Sequence, residues 1–301
     1  MVGTAALAQV PADPPVDTRP DTPGTGPYPA LKEVDPTLPD HVVYRPADLK
    51  KLGHKKLGVL VWGNGGCAAD GASARFHLLE IASHGYVVIA PGKDMTGLPR
   101  ETRAPIPNAS QAGAVLLPPV ATTSKDVAAG IDWALAENGR AGSRYRGLIA
   151  SREIAVGGHS CGGLQALEIA RDPRIRTVLI HNSGVFTDGT NPIQGIHVDK
   201  SLLKTVHTPI IYFIGGKSDV AYPNGTDDFA KIDHVPAVLV ESDVGHGGTF
   251  REANGGKVAQ LAVNWLDWQL RGDKNAAKTF VGADCRLCSD PAWTIQRKKV
   301  Q

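Results

Sequence analysis

From His41 onward, short apolar runs alternate with stretches of helical spacing. His41-Val42-Val43-Tyr44-Arg45 reads as a first strand, ended by Pro46. Leu57 to Trp62 is a continuous apolar strand that runs into a glycine-rich loop. Ala74 to His84 has helical spacing through Phe76, Leu79 and Ile81, and Tyr86 to Ala90 is the next strand, stopped by Pro91-Gly92. Ser124 to Glu137 reads as a helix with Val127, Ile131 and Leu135 on one face and Ser124 placed to cap it. A strand over Glu153–Gly157 and a helix over Leu164–Arg171 follow. Further strands are predicted at Arg176–Ile180, Pro209–Ile214 and Ala237–Val240, and a last helix over Lys257–Leu270 with Leu261, Trp265 and Trp268 on its apolar side. Val/Ile/Leu runs without polar alternation, separated by helices, predict a mainly parallel central sheet with helices on both faces. Such sheets bind ligands where loops leave the carboxyl ends of the strands.

Residues Pro11 to Pro39 are crowded with Pro, Asp, Thr and Gly and lack apolar periodicity, which predicts an extended arm and not a domain. The expected division is 1–40 as leader remnant and arm, 41–281 as one α/β domain, and 282–301 as a tail carrying a CxxC pair. No internal repeat is apparent.

Composition narrows the function classes. Of 301 residues, 42% are hydrophobic and 21% charged, ordinary values for a globular chain. The net charge of +2, from 32 basic and 30 acidic residues, does not suggest a surface that tracks nucleic-acid phosphates. No apolar stretch approaches a membrane span. Thr4 to Gln9 reads like the end of a secretory signal, with Ala6-Leu7-Ala8 supplying the small-x-small pattern before a cut at Gln9. A charged leader and most of an apolar run are missing from it, so the numbering is expected to start inside a longer precursor. The alternative is a disordered tail that happens to contain alanines. The four cysteines, Cys67, Cys161, Cys285 and Cys288, allow three pairings and suit an exported, secreted or periplasmic protein. Cys285-x-x-Cys288 lacks the second CxxC or the histidines of a zinc site, and reads as a local disulfide.

The chemistry concentrates at predicted strand ends. Gly158-His159-Ser160-Cys161-Gly162 follows one strand and opens a helix, the setting of a nucleophile elbow. Small residues are needed there because the serine occupies a sharp, strained turn. A serine hydroxyl near neutral pH needs a base, and the base needs an orienting carboxylate, in the chain order Ser, acid, His. His246, in the glycine-flanked loop after the last strand, is the expected base, and Asp219, just after the penultimate strand, the expected acid. Asp188, Asp227 and Asp243 are rivals: Asp243 is too close to His246 in sequence, and Asp227 and Asp228 are expected to begin a helix. Of the other histidines, His159 is too tightly held in the elbow to act as base, His181 is placed to line the pocket, and His77, His84 and His207 read as surface or packing residues. Trp62-Gly63-Asn64-Gly65-Gly66-Cys67 supplies a glycine loop after an early strand, with the amides of Gly66 and Cys161 as expected oxyanion donors. A phosphate-binding glycine loop is disfavoured, since neither GxxxxGK[ST] nor a helix-opening GxGxxG occurs. Asn64, Gly65, His159 and Asn182 are the expected substrate-lining residues.

These motifs resemble the serine esterases of the α/β-hydrolase superfamily, most closely the dienelactone-hydrolase, chlorophyllase and polyester-hydrolase branch, over roughly residues 41 to 275. The chain departs from many relatives in having Asn-Gly-Gly in place of His-Gly-x, and Cys161 in place of Met or Leu after the nucleophile. It also carries serine where a dienelactone hydrolase proper has cysteine. The resemblance implies an α/β-hydrolase fold and hydrolysis of small-molecule or polymeric carboxylic esters through an acyl-enzyme, without cofactor or metal. An amidase or peptidase with the same residues, an acyltransferase, and a binding protein of the same fold remain alternatives. Only Gly184 to His207 separates two strands, which leaves little room for a helical lid. An open cleft is therefore expected, shaped by Gly92–Pro119 and His181–Gly184 and suited to short-chain, aryl or polymeric esters. The fold also implies that the loops of Cys67 and Cys161 meet at the oxyanion hole, within disulfide range, leaving Cys285 and Cys288 to pair. Two separate thiols at positions 67 and 161 are the alternative.

Overall fold

The computed structural model describes residues 17–98, 120–187, 191 and 193–300. The proposed signal remnant at Thr4–Gln9, the rival acid Asp188 and most of the expected Gly92–Pro119 loop lie outside these residues. Nine strands form one sheet in the order β1-β2-β4-β3-β5-β6-β7-β8-β9. They are β1 (Ala30–Glu33), β2 (His41–Pro46), β3 (Leu57–Gly63), β4 (Tyr86–Pro91), β5 (Ile149–His159), β6 (Thr177–His181), β7 (Ile210–Ile214), β8 (Ala237–Glu241) and β9 (Thr294–Lys298). Strands β4, β3, β5, β6, β7 and β8 run parallel, while β1, β2 and β9 pair antiparallel at the two edges.

Successive side chains of a strand point to opposite faces, so one buried strand feeds two cores. Val59 and Val61 of β3 join one cluster with Val127, Ile131 and Ala134 of α2 (Ser124–Gly139) and Leu164 and Leu167 of α3 (Cys161–Ile169). Leu60 and Trp62 join the other, with Leu78, Leu79 and Ile81 of α1 (Arg75–Ser83) and Leu261, Ala262 and Trp265 of α5. Helices α4 (Tyr222–Lys231), α5 (Gly256–Arg271) and α6 (Lys274–Ala277) complete the set. Thr123, not Ser124, caps α2, in a reciprocal arrangement with Asp126.

The sheet extends past both expected domain boundaries. Residues 17–33 are not a free arm. Arg75 of α1 pairs with Asp17 and Asp21, Glu80 accepts from the Thr25 amide and hydroxyl, and β1 adds to the sheet edge. The segment docks through polar groups, which is why it shows no apolar periodicity. The tail beyond residue 282 likewise supplies β9, paired to β8 from Ala237–Lys298 to Glu241–Thr294. Lys298 donates to the carbonyls of Phe229, Ala230 and Ile232, capping the negative end of α4. Asp227 and Asp228 sit in the last turns of α4 rather than at its start. The described residues between β6 and β7 contain a 3-10 turn at Lys200–Thr205 and no α-helix. No helix among the described residues is long and apolar enough to cross a membrane.

Candidate active site

Ser160 lies between the last residue of β5 and the first of α3, with φ 53° and ψ −123°. A side-chain-bearing residue rarely adopts that conformation, and such strain collects at functional sites. The surrounding glycines are required by contact. A Cβ on Gly158 would sit 2.2 Å from the carbonyl oxygen of Gly162, and one on Gly162 would sit 2.1 Å from Gly63 at the end of β3. The turn is fixed further by the Ser160 amide donating to the His181 carbonyl at 3.0 Å, and by the Ser183 hydroxyl donating to the Ser160 carbonyl at 2.6 Å.

The loops after β7 and β8 bring two more side chains to this turn. His246 Nε2 lies 2.9 Å from Ser160 Oγ, and His246 Nδ1 lies 2.6 Å from Asp219 Oδ1. Asp219 is only 2% exposed. Its Oδ1 also accepts from the Ala221 amide at 2.9 Å, and its Oδ2 accepts from Asn182 Nδ2 at 2.8 Å and the Gly215 amide at 3.1 Å. Burial pushes its pKa up, but the hydrogen bonds from His246, Ala221, Asn182 and Gly215 outweigh burial and hold the carboxyl down at about 2. An ionised carboxylate only accepts, so Nδ1 of His246 carries the proton and Nε2 is left to accept from the serine hydroxyl.

No protein-family profile and no curated protein matches this chain.

The described rivals, Asp227 and Asp243, have other partners, as does Asp228. Asp243 is exposed and accepts from the Ser218 hydroxyl. Asp227 pairs with Lys200 and Lys231, and Asp228 accepts from Lys200, Tyr212 and the Val185 amide. Burial pushes Asp228 up to about 6.

The glycine loop after β3 meets the elbow. Gly66 and Cys67 both have positive φ, 64° and 48°, and Cys67 is disulfide-bonded to Cys161 with their Cα atoms 5.3 Å apart. A second disulfide joins Cys285 and Cys288. The amides of Gly66 and Cys161 have no backbone acceptor among the described residues.

Each of the four residues expected to line the substrate also has a contact within the protein. Asn64 is buried and donates to the carbonyls of Ala68 and Pro91, tying the glycine loop to the end of β4. Asn182 is buried at φ 47°, and besides Asp219 it donates to the Gly245 carbonyl. It thereby ties Asp219 to the loop that carries His246. His159 donates from Nε2 to the backbone carbonyl of His246 at 2.8 Å; burial depresses its pKa to about 4, so the ring is neutral at working pH. Gly65 makes room for that ring, since a Cβ there would lie 2.5 Å from His159 Nδ1. His181 lines no cleft. It is fully buried, stacked on Phe213 and packed with Trp62, His77 and Phe250. Burial keeps both His181 and His77 neutral, with His77 lowered to about 3.

Among the described residues, no group of three or more His, Cys, Asp or Glu side chains is arranged to hold a metal ion. The residues brought together form a hydroxyl, an accepting imidazole and a buried carboxylate in series, near two amides that have no backbone acceptor among the described residues. That set can deprotonate the serine as it attacks an electrophilic carbon, and can return the proton to a leaving group.

Proposed function

We propose that this protein is a serine hydrolase of the α/β-hydrolase type that cleaves carboxylic esters, with Ser160, His246 and Asp219 as its catalytic triad. The observation carrying the reading is the continuous Ser160–His246–Asp219 hydrogen-bonded series, 2.9 Å and 2.6 Å long in its two links, starting from a residue at positive φ between strand and helix. The chain order Ser, Asp, His and the placement after β5, β7 and β8 of a mainly parallel sheet support the superfamily reading.

In this mechanism Ser160 Oγ attacks the ester carbonyl carbon while His246 Nε2 accepts its proton. The amides of Gly66 and Cys161 donate to the oxyanion of the tetrahedral intermediate. Collapse breaks the C–O bond, and the imidazolium protonates the departing alkoxide. Water then enters, loses its proton to His246 and attacks the acyl-serine, and a second collapse releases the carboxylic acid and restores the serine hydroxyl. Asp219 keeps Nδ1 protonated and stabilises the imidazolium.

Two disulfides within one chain support action in an oxidising, extracellular or periplasmic setting. The described residues between β6 and β7 hold no helical lid, which supports short-chain, aryl or polymeric esters as substrates. A panel of p-nitrophenyl esters from acetyl to palmitoyl, run beside p-nitroanilides of the same acyl groups, tests this. Ester turnover far above anilide turnover, highest at short acyl chains, is expected. Anilides cleaved as fast as esters would replace the esterase reading with an amidase.

A further inference from the structure

We propose that the Cys67–Cys161 disulfide is a positioning element of the oxyanion hole, holding the amides of Gly66 and Cys161 at a fixed separation; this rests on the esterase reading above. Each of the two donors lies at or beside an anchored residue. Cys161 carries one amide itself, and Cys67 directly follows Gly66. The loop needs such an anchor because packing does not hold Gly66. Gly65 is packed against the His159 ring, but a Cβ on Gly66 would meet nothing within 4 Å, so the chain is open at that residue. The residues around Gly66 are tied down: the Gly65 carbonyl accepts from the Ala68 amide, and the Cys67 amide donates to the Asn64 carbonyl. Asn64 binds two carbonyls on one side, and on the other the Cys67 carbonyl accepts from the amides of Ala121 and Thr122 and from the Thr122 hydroxyl. Gly66 and Cys67 are consecutive residues at positive φ, so the turn that presents the Gly66 amide runs directly into the cross-linked residue. For cysteine that conformation is unfavourable, and the cross-link over-determines it. Oxyanion stabilisation depends on donors that need no reorganisation at the moment of reaction, and a cross-link between them supplies that.

Cys67 and Cys161 are buried, whereas Cys288 is exposed, so the two disulfides can be opened in sequence. A trialkylphosphine converts each S–S bond to two thiols, becoming the phosphine oxide with oxygen and two hydrogens taken from one water. Reduction of the full chain is followed by thiol mapping, p-nitrophenyl butyrate kinetics and circular dichroism. Loss of Cys285–Cys288 is expected to leave kcat within about twofold. Loss of Cys67–Cys161 is expected to lower kcat by about ten- to a hundredfold, less than the loss of a whole donor, with KM within about threefold. Affinity for a trifluoromethyl ketone, which forms the tetrahedral adduct, should fall by the same factor as kcat/KM. Cys67→Gly/Cys161→Ala, which retains both amides and tolerates the positive φ at position 67, should match the reduced enzyme. Unchanged kcat after Cys67–Cys161 is opened, or a fall that appears only together with loss of the native circular dichroism, overturns the proposal while Ser160-dependent hydrolysis stands. A parent chain with no Ser160-dependent hydrolysis removes the esterase reading itself, and this proposal with it.

Discussion

Replacing Asp219 by asparagine changes one oxygen to an amide nitrogen at nearly constant volume, so its effects are those of hydrogen bonding and of the lost negative charge. All four partners of the carboxylate are donors: His246 Nδ1, the Ala221 amide, Asn182 Nδ2 and the Gly215 amide. An Asp219→Asn side chain must point its NH2 group at one pair of them. Turned toward Asn182 and Gly215, it sets donor against donor in a buried site, costing about 1–3 kcal/mol of stability. Turned toward Ala221 and His246, it also forces Nδ1 to accept. The ring proton then moves to Nε2, which can no longer take the proton of Ser160. Where an aspartate-to-asparagine change traps the wrong tautomer in a serine triad, kcat falls by about ten-thousand-fold, and that is the loss expected here. Steady-state hydrolysis of p-nitrophenyl butyrate, normalised to folded protein by circular dichroism, measures it. A folded Asp219→Asn enzyme within tenfold of the parent would refute the role given to Asp219.

Acid should destabilise the fold through its buried neutral imidazoles. Burial lowers His77 from 6.5 to about 3, so the native state binds fewer protons than the unfolded chain, and stability is lost as pH falls from 6.5 toward 3. At about pH 4.5 this amounts to roughly 3 kcal/mol from His77, and denaturant titrations of His77→Leu should show a correspondingly smaller pH dependence; an unchanged dependence would contradict the buried neutral ring. The two disulfides should differ in thermodynamic weight. Chain entropy gives about 4.7 kcal/mol for the 94-residue separation of Cys67–Cys161 and about 1.6 kcal/mol for the separation of 3 in Cys285–Cys288. Equal losses of unfolding free energy on removing either one would contradict that account.

What could be seen in the sequence follows from how local each constraint is. The elbow is legible because the close approach of Gly158, Gly162 and Gly63 leaves room only for hydrogen, a demand written directly into residue type. The same glycines hid the start of α3. Gly162 and Gly163 read as loop by propensity, yet the helix begins at Cys161. The continuous apolar runs of β3 to β8 mark strands buried on both faces. The edge strands lack that mark: Thr294–Lys298 is mostly polar and exposed, and Ala30–Glu33 is short and half-buried. The partners of Asn182 and His159 are not legible in the sequence, because Asp219 and the His246 carbonyl lie 37 and 87 residues away. Only the tertiary structure brings those groups within reach. One hint was local, since asparagine at the end of a strand tolerates the left-handed conformation that position 182 adopts. The cluster of Trp62, His77, His181 and Phe250 left no pattern, because its members come from four separate elements and loops.

The central claim is that Ser160 is a nucleophile activated by His246. Incubation with a fluorophosphonate, followed by intact-mass and peptide mass spectrometry, tests it most directly. The expected result is one adduct per chain on Ser160, formed in parallel with loss of ester hydrolysis, absent in Ser160→Ala and strongly slowed in His246→Ala. A folded parent chain that forms no adduct, or a folded Ser160→Ala variant that hydrolyses esters at the parent rate, would contradict it.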